Sequence, residues 1–275
     1  MLELPEAQTI ARQLRDSVRG CDIVDVIANS SPHKFAFFTG DPEGYKEVLV
    51  GCRITDAQAF GGLVELTAGD EALVLGDGVS LRLLASGDPL PAKHQLAVRL
   101  DDGSALVASV QMYGGMWLAP PGGLDSPYYQ VARERPSPLG DAFDRAWFDQ
   151  LWTATKPSAS VKALLATEQR IPGLGNGVLQ DILFVARVHP RTRLDALTST
   201  DRGRLFDAVK TTLAAMTNAG GRDTEKDLYG APGGYRTLLS AKTIALPCPV
   251  CGGGIVREAY MGGNVYFCPA CQPRA

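Results

Sequence analysis

Residues 248–271 read CPVCGGGIVREAYMGGNVYFCPAC, which sets Cys248, Cys251, Cys268 and Cys271 in the spacing C-x2-C-x16-C-x2-C. Two Cys-x-x-Cys knuckles, each in a tight turn, offer four thiolates to one zinc ion (Zn2+) in a tetrahedron. The alternating runs GIVREAY and NVYF between them suit the two strands of a hairpin. A closed four-thiolate site leaves no position for water, so its role is structural and it is not the catalyst. Two disulfides are the alternative, and a reducing compartment disfavours them. The remaining cysteines, Cys21 and Cys52, stand alone in strand-rich segments and read as small buried hydrophobes.

Working back towards the N-terminus, residues 166–190 read ATEQRIPGLGNGVLQDILFVARVHP. A helix ends near Arg170, a Pro-Gly-Leu-Gly turn follows, and Asn176 opens a second helix. Helix N-termini carry unpaired N–H groups at the positive end of the dipole. The N–H groups freed by Gly173 and Gly175, with the Asn176 amide, therefore suit one phosphate. A glycine C-cap followed by an asparagine N-cap gives the same letters without any ligand.

Helical periodicity marks 141–152, 160–168, 176–187 and 200–217, and a polar, glycine-rich loop runs from Gly220 to Pro247. Near the start, Ala7, Ile10, Ala11, Leu14 and Val18 give a one-faced helix over Glu6–Arg19, with Pro5 in its first turn and Gly20 at its end. From Cys21 to about Leu118 the pattern becomes short apolar or alternating runs separated by Gly-Asp and Asp-Gly turns, which predicts an antiparallel β-sandwich or barrel. The expected organisation is α+β in two domains. It comprises a β-sandwich with a flanking helix over 1–118, a Pro/Gly/Ser-rich linker over 119–139, a helical domain over 140–243 and the cysteine hairpin over 244–275.

Net charge is -3, but it is unevenly spread: residues 1–151 carry 12 Lys and Arg against 21 Asp and Glu, whereas residues 152–275 carry 15 against 9. A basic C-terminal half suits a polyanionic partner, and ordinary surface variation gives the same imbalance. No apolar run approaches the length of about 18 residues that spans a membrane, and MLELPEAQTIARQLRD lacks both a basic n-region and an apolar signal core. The expectation is a cytoplasmic, monomeric protein.

Taken together, ELPEA at the start, SPLG before the first C-terminal helix, VKALLATEQRIPGLGNGVLQDILFVARVHP and the terminal CPVC to CPACQ resemble the formamidopyrimidine-DNA glycosylase and endonuclease VIII family, in the family's order and across nearly the whole chain. The resemblance implies a β-sandwich, a helix-two-turns-helix domain and a zinc hairpin. Double-stranded, damaged DNA would lie in the cleft, at the nucleoid, and the family excises oxidised bases after flipping the nucleotide. It also implies roles for Glu3 and Glu6 as active-site carboxylates. Asn176, Lys162, His94 and Tyr235 would meet phosphates, together with the turn at Gly173 and Gly175. Gln111 and Tyr113 would stand where the family fills the hole left by the flipped base. Arg222 and Lys226 fall where it keeps a lesion-capping loop.

Several positions depart from the family. Leu2 replaces the proline whose amine attacks the sugar, and a bulky second residue is expected to leave Met1 in place. Gly61 and Gly62 stand in the hairpin that carries the family's lysine, Gly263 stands in place of the hairpin arginine, and Ala85 takes the place of the inserted methionine. Three chemistries follow from these changes. Glu3 activates water, the Met1 amine serves as nucleophile, or the scaffold binds lesions without cleaving any bond. A zinc-ribbon protein of RNA or the ribosome is the remoter alternative.

Overall fold

The computed structural model describes residues 2–274, so the expectation for Met1 lies outside the described residues. The first helix, α1 (Leu4–Val18), begins two residues before the apolar periodicity indicates, because Leu4 and Pro5 join its first turn. Leu4, Ala7, Ile10, Ala11, Leu14 and Val18 are buried along one face. Each large side chain among them contributes roughly 1.5–3 kcal/mol.

That face closes a seven-stranded sheet made of β1 (Ile23–Ala28), β2 (Ala36–Phe38), β3 (Ile54–Phe60), β4 (Leu63–Ala68), β5 (Glu71–Leu84), β6 (Leu96–Leu100) and β7 (Ala105–Ala119). A short helix, α2 (Tyr45–Leu49), lies between β2 and β3. The strand order is β1-β6-β7-β5-β4-β3, and the sheet folds over so that residues from both ends, Val26 and Val98 with Ala57 and Leu66, share one core. The pairing is antiparallel as expected except for β2, which joins β7 in parallel. The long strands β5 and β7 lose register between Asp77 and Val79: Asp77 pairs with Gly114 and Val79 with Val110, so Gln111, Met112 and Tyr113 stand out as a bulge.

The segment 119–139 is not a bare linker. It holds α3 (Pro127–Glu134), whose Tyr129 and Ala132 pack on Leu63 and Val74 of the sandwich. Beyond it α4 (Arg145–Ala154), α5 (Val161–Ala166), α6 (Asn176–Ala186) and α7 (Ser199–Asn218) enclose a second core of Phe148, Leu164, Ile182, Leu213 and their neighbours. Thr198 and Asp201 form a capping box at the start of α7. The chain closes with the hairpin β8 (Val256–Tyr260) and β9 (Gly263–Phe267). No described helix is long and apolar enough to cross a membrane.

Candidate active site and metal centre

The N-terminal segment crosses from one core to the other. Glu3 is buried, and its carboxylate seats on the start of α6, accepting from the backbone N–H of Gly177 and of Val178, each at 2.8 Å. The helix N-terminus that the sequence offers to a phosphate is thus already met by an anion of the chain itself. Arg222, only 2% exposed, completes the arrangement: its Nη1 lies 3.4 Å from Glu3, while its Nε and Nη2 donate to Glu6 at 3.0 and 2.8 Å. Gly177 makes this possible, because a Cβ there would lie 1.7 Å from the guanidinium. Burial pushes the Glu3 carboxyl upward, Arg222 and the two helix N–H groups oppose that shift, and Glu6 adds to it. Burial works against the charge on Arg222 too, but Glu3 and Glu6 outweigh it and raise its pKa, so it stays protonated.

Around this cluster the cleft between the cores has a volume of about 470 Å³ and is lined by Leu2, Glu3, Asp77, Tyr113, Tyr128 and Asn176, among others. Leu2 donates its backbone N–H to the Asp77 carbonyl at 3.0 Å, and Leu4 donates to Gly173 at 2.9 Å. The turn between β3 and β4 closes down on the α5–α6 turn. A Cβ on Gly61, whose φ is +56°, would meet Pro172 at 2.7 Å and the Gly173 nitrogen at 2.9 Å, so no lysine side chain fits at that position. A second cavity of about 320 Å³ lies on the other side of Leu2, lined by Glu6, Arg82, Gln111, Thr224 and Lys226. Leu2 borders both cavities, while Met112, at 68% exposed, stands at the outer end of the bulge between Gln111 and Tyr113.

The hairpin is stitched to the far side of the same helix. Asn176 donates to the Asn264 carbonyl at 2.8 Å and accepts from Lys162 at 2.9 Å, and Lys162 also donates to the Tyr260 carbonyl at 2.6 Å. Gln180 donates to Asn264 at 3.1 Å and accepts from Tyr266, and Gln272 bonds Cys268 and Val188. The Sγ atoms of Cys248, Cys251, Cys268 and Cys271 all lie within 4.8 Å of one another, with 3.8 Å between Cys248 and Cys271 and 3.5 Å between Cys251 and Cys268. Metal–thiolate bonds of about 2.3 Å in a tetrahedron separate the sulfurs by roughly 3.8 Å, so the donor set fits one tetrahedral ion.

Other residues singled out in the sequence lie elsewhere. His94 is buried: one ring nitrogen bonds the Pro91 carbonyl at 2.8 Å, and Nε2 has no partner. Tyr235 is half-buried against the helical core and turns its hydroxyl to Asp181, so burial and that carboxylate raise its pKa. Ala85 sits past the end of β5, in the turn closed by Asp88, and the residues beside the 111–113 bulge are Gly78, opposite it, and Asp77, at its edge. Gly263 packs against the Asn176 amide. The buried anchors Gln180, Asp181 and Gln272 escaped sequence reasoning, and so did the junction of Arg222 with both glutamates. The only signal for Asp181 is a lone acid on the apolar face of α6.

The fold and site define a two-core protein whose N-terminal carboxylates are clasped by a helix start, with a four-cysteine hairpin on the opposite flank. The N-terminal domain of formamidopyrimidine-DNA glycosylase matches residues 1–124 as a family model. Relatives named formamidopyrimidine-DNA glycosylase include one from Stenotrophomonas maltophilia, 32% identical over 99% of this chain and 100% of its own length. Another, from Symbiobacterium thermophilum, is 30% identical over 99% and 90%. Among solved structures, the MutM (Fpg) protein of Thermus thermophilus superposes with a TM-score of 0.81 at 26% identity, covering 99% of both chains. The Lactococcus lactis Fpg, solved in complex with DNA containing N7-benzyl-Fapy-dG, shares the fold with a TM-score of 0.84 at 24% identity over 99% and 100% of the two chains. This chain belongs to the formamidopyrimidine-DNA glycosylase family.

Proposed function

We propose that this protein is a DNA glycosylase of base-excision repair, which binds duplex DNA at damaged, chiefly oxidised, bases or at abasic sites and releases the base by hydrolysis. The observation that carries this reading is Glu3, which the N-terminal segment delivers to the floor of the cleft and α6 fixes there. An anion so placed stabilises the positive charge that grows on the deoxyribose as the glycosidic bond lengthens. The hydrolytic route is favoured because the nitrogen of residue 2, where relatives of this family resemblance present a proline amine, is engaged with the Asp77 carbonyl. Gln111 and Tyr113 on the bulge would fill the gap left by the flipped nucleotide. Lys162, Asn176 and the turn at Gly173 and Gly175 would meet the backbone from the helical side. The four cysteines would hold Zn2+, which gives the hairpin its fold and takes no part in the chemistry. The protein would act as a monomer in the cytoplasm, at the nucleoid.

A second reading, lesion recognition without chemistry, is favoured by the closure of Gly61 on Pro172, which removes any lysine from the hairpin turn. One experiment separates the readings. The metal-loaded protein is incubated with a panel of oxidised-base and abasic duplexes, with and without borohydride. Base release without a covalent adduct is the expected result. An adduct would instead assign an amine nucleophile such as that of Met1. Tight binding without release supports the second reading, and equal affinity for RNA overturns both.

A further inference from the structure

Three carboxylates line the cleft, Glu3, Asp77 and Glu168; Glu168 pairs with Arg170, and the fold treats the other two differently. Glu3 accepts two helix N–H bonds and faces Arg222, so most of its acceptor capacity is spent within the protein. Asp77 lines the same cleft, and among the described residues no hydrogen bond or ion pair reaches its carboxylate. Only its backbone is tied, through the bond from Leu2. Its φ of +58° lies in the left-handed region that disfavours side chains, at the register break between β5 and β7. A strained conformation at a bulge re-aims a side chain, and here it does so beside the segment that presents Glu3.

We propose that Asp77 is the general base of this enzyme, the group that takes the proton from the attacking water while Glu3 supplies fixed negative charge. The assignment rests on the glycosylase reading above. In the step, the water oxygen forms a bond to C1′ of the damaged nucleotide and the C1′–N bond breaks. That electron pair leaves with the base, one water proton passes to the Asp77 carboxylate, and a solvent proton neutralises the departing base. The chemistry needs no further co-reactant. Burial raises the Asp77 pKa, which brings its basicity closer to that of a working base at neutral pH. The other ionisable groups lining this cleft are Glu3, Glu168, Tyr113 and Tyr128.

The test is single-turnover base release by Asp77→Asn across pH, with affinity for an abasic-analogue duplex measured alongside. Asparagine tolerates the left-handed backbone, so the fold is retained. Release should slow by roughly 100- to 10,000-fold, the range for removal of a general base, and the acid limb of the wild-type pH profile should disappear while duplex affinity holds. As a second variant, Asp77→Gly suits the same backbone, and added formate should restore part of its rate. Release by D77N at the wild-type rate with the acid limb intact overturns the assignment and leaves the glycosylase reading standing. A wild-type protein that releases no base from any duplex overturns that reading, and the assignment falls with it.

Discussion

Lys162 and Arg222 are both cations taken almost wholly out of water, and they lie on opposite flanks of the start of α6. Arg222 meets two carboxylates, Glu3 and Glu6, with which it forms a buried ionic triad. Lys162 meets neutral groups, the Asn176 side-chain oxygen, the Tyr260 carbonyl and the Tyr260 ring at 5.7 Å, and burial pulls its pKa down. The contrast separates two uses of a basic residue that a sequence cannot tell apart. A charge balanced inside the fold is a fastener, because removing one partner strands the others in a low dielectric. A charge met by dipoles alone keeps its field, and an incoming phosphate is the ligand that would satisfy it.

The largest effect expected on this contrast is that of stripping the proposed zinc from the four-cysteine hairpin. Structural zinc in such sites contributes on the order of 10–16 kcal/mol, so chelation should unfold the hairpin and release the Tyr260 end of Lys162. Duplex affinity should vanish, while circular dichroism of the β-sandwich and its Arg222 cluster should hold, because among the described residues the hydrogen bonds and ion pairs of Glu3, Glu6 and Arg222 involve neither β8 nor β9. Melting of both regions together on chelation would show that the two flanks are one cooperative unit.

Next in size is Arg222→Met. Breaking a buried ion pair costs roughly 3–5 kcal/mol, and here two carboxylates are left without their cation. Urea unfolding should show a free energy lower by that amount and a midpoint lowered in proportion, and Arg222→Lys should recover part of it through charge without the two-pronged geometry on Glu6. A midpoint unchanged by R222M would mean that the triad is not the fastener described.

The same contrast explains what was legible in the sequence. The four-cysteine cluster was readable because its members fall within 24 residues and the chemistry needs only spacing. The helices were readable from periodicity, including the face of α1, and so was the antiparallel sheet. The cleft and the ionic cluster beside it were not, since Glu3 and Asp77 in the one and Gly177 and Arg222 in the other are far apart in sequence, and their meeting depends on the packing of two cores. Arg222 looked like a loop cation, and nothing local reveals that it is clasped by carboxylates more than 200 residues away. Likewise α3 hid inside a Pro- and Gly-rich stretch, where its Tyr129 and Ala132 found a tertiary partner that composition does not show. The misassigned Ala85 has a similar cause, because only the register of β5 on β7 places Asp77 against the bulge.

Asp181 is the mirror image of Lys162, an anion held by dipoles. It accepts from Leu238 and Leu239 at 2.9 and 2.8 Å, and burial raises its pKa to about 6. A carboxyl whose folded pKa exceeds the unfolded value of about 3.9 binds its proton more tightly in the folded state. Its contribution is therefore fully present below about pH 4 and is lost as pH rises through about 6, amounting to at most about 3 kcal/mol. Urea midpoints measured from pH 4 to 7 should carry this downward slope, and Asp181→Asn should flatten it. An identical slope in both proteins would assign the proton elsewhere.

The smallest effect sharpens the comparison most. Lys162→Met keeps an unbranched side chain one atom shorter and removes a charge that no carboxylate balances, so stability should change far less than in R222M. What should change is the encounter with DNA. If Lys162 neutralises one phosphate, its loss lowers the slope of log K against log salt by about 0.9 for duplex DNA, with the deficit in affinity greatest at low salt and shrinking as salt rises. Binding titrations of wild type and K162M at several salt concentrations read this directly. Parallel salt slopes combined with a large loss of stability would make Lys162 a fastener like Arg222, and the distinction between the two buried cations would be gone.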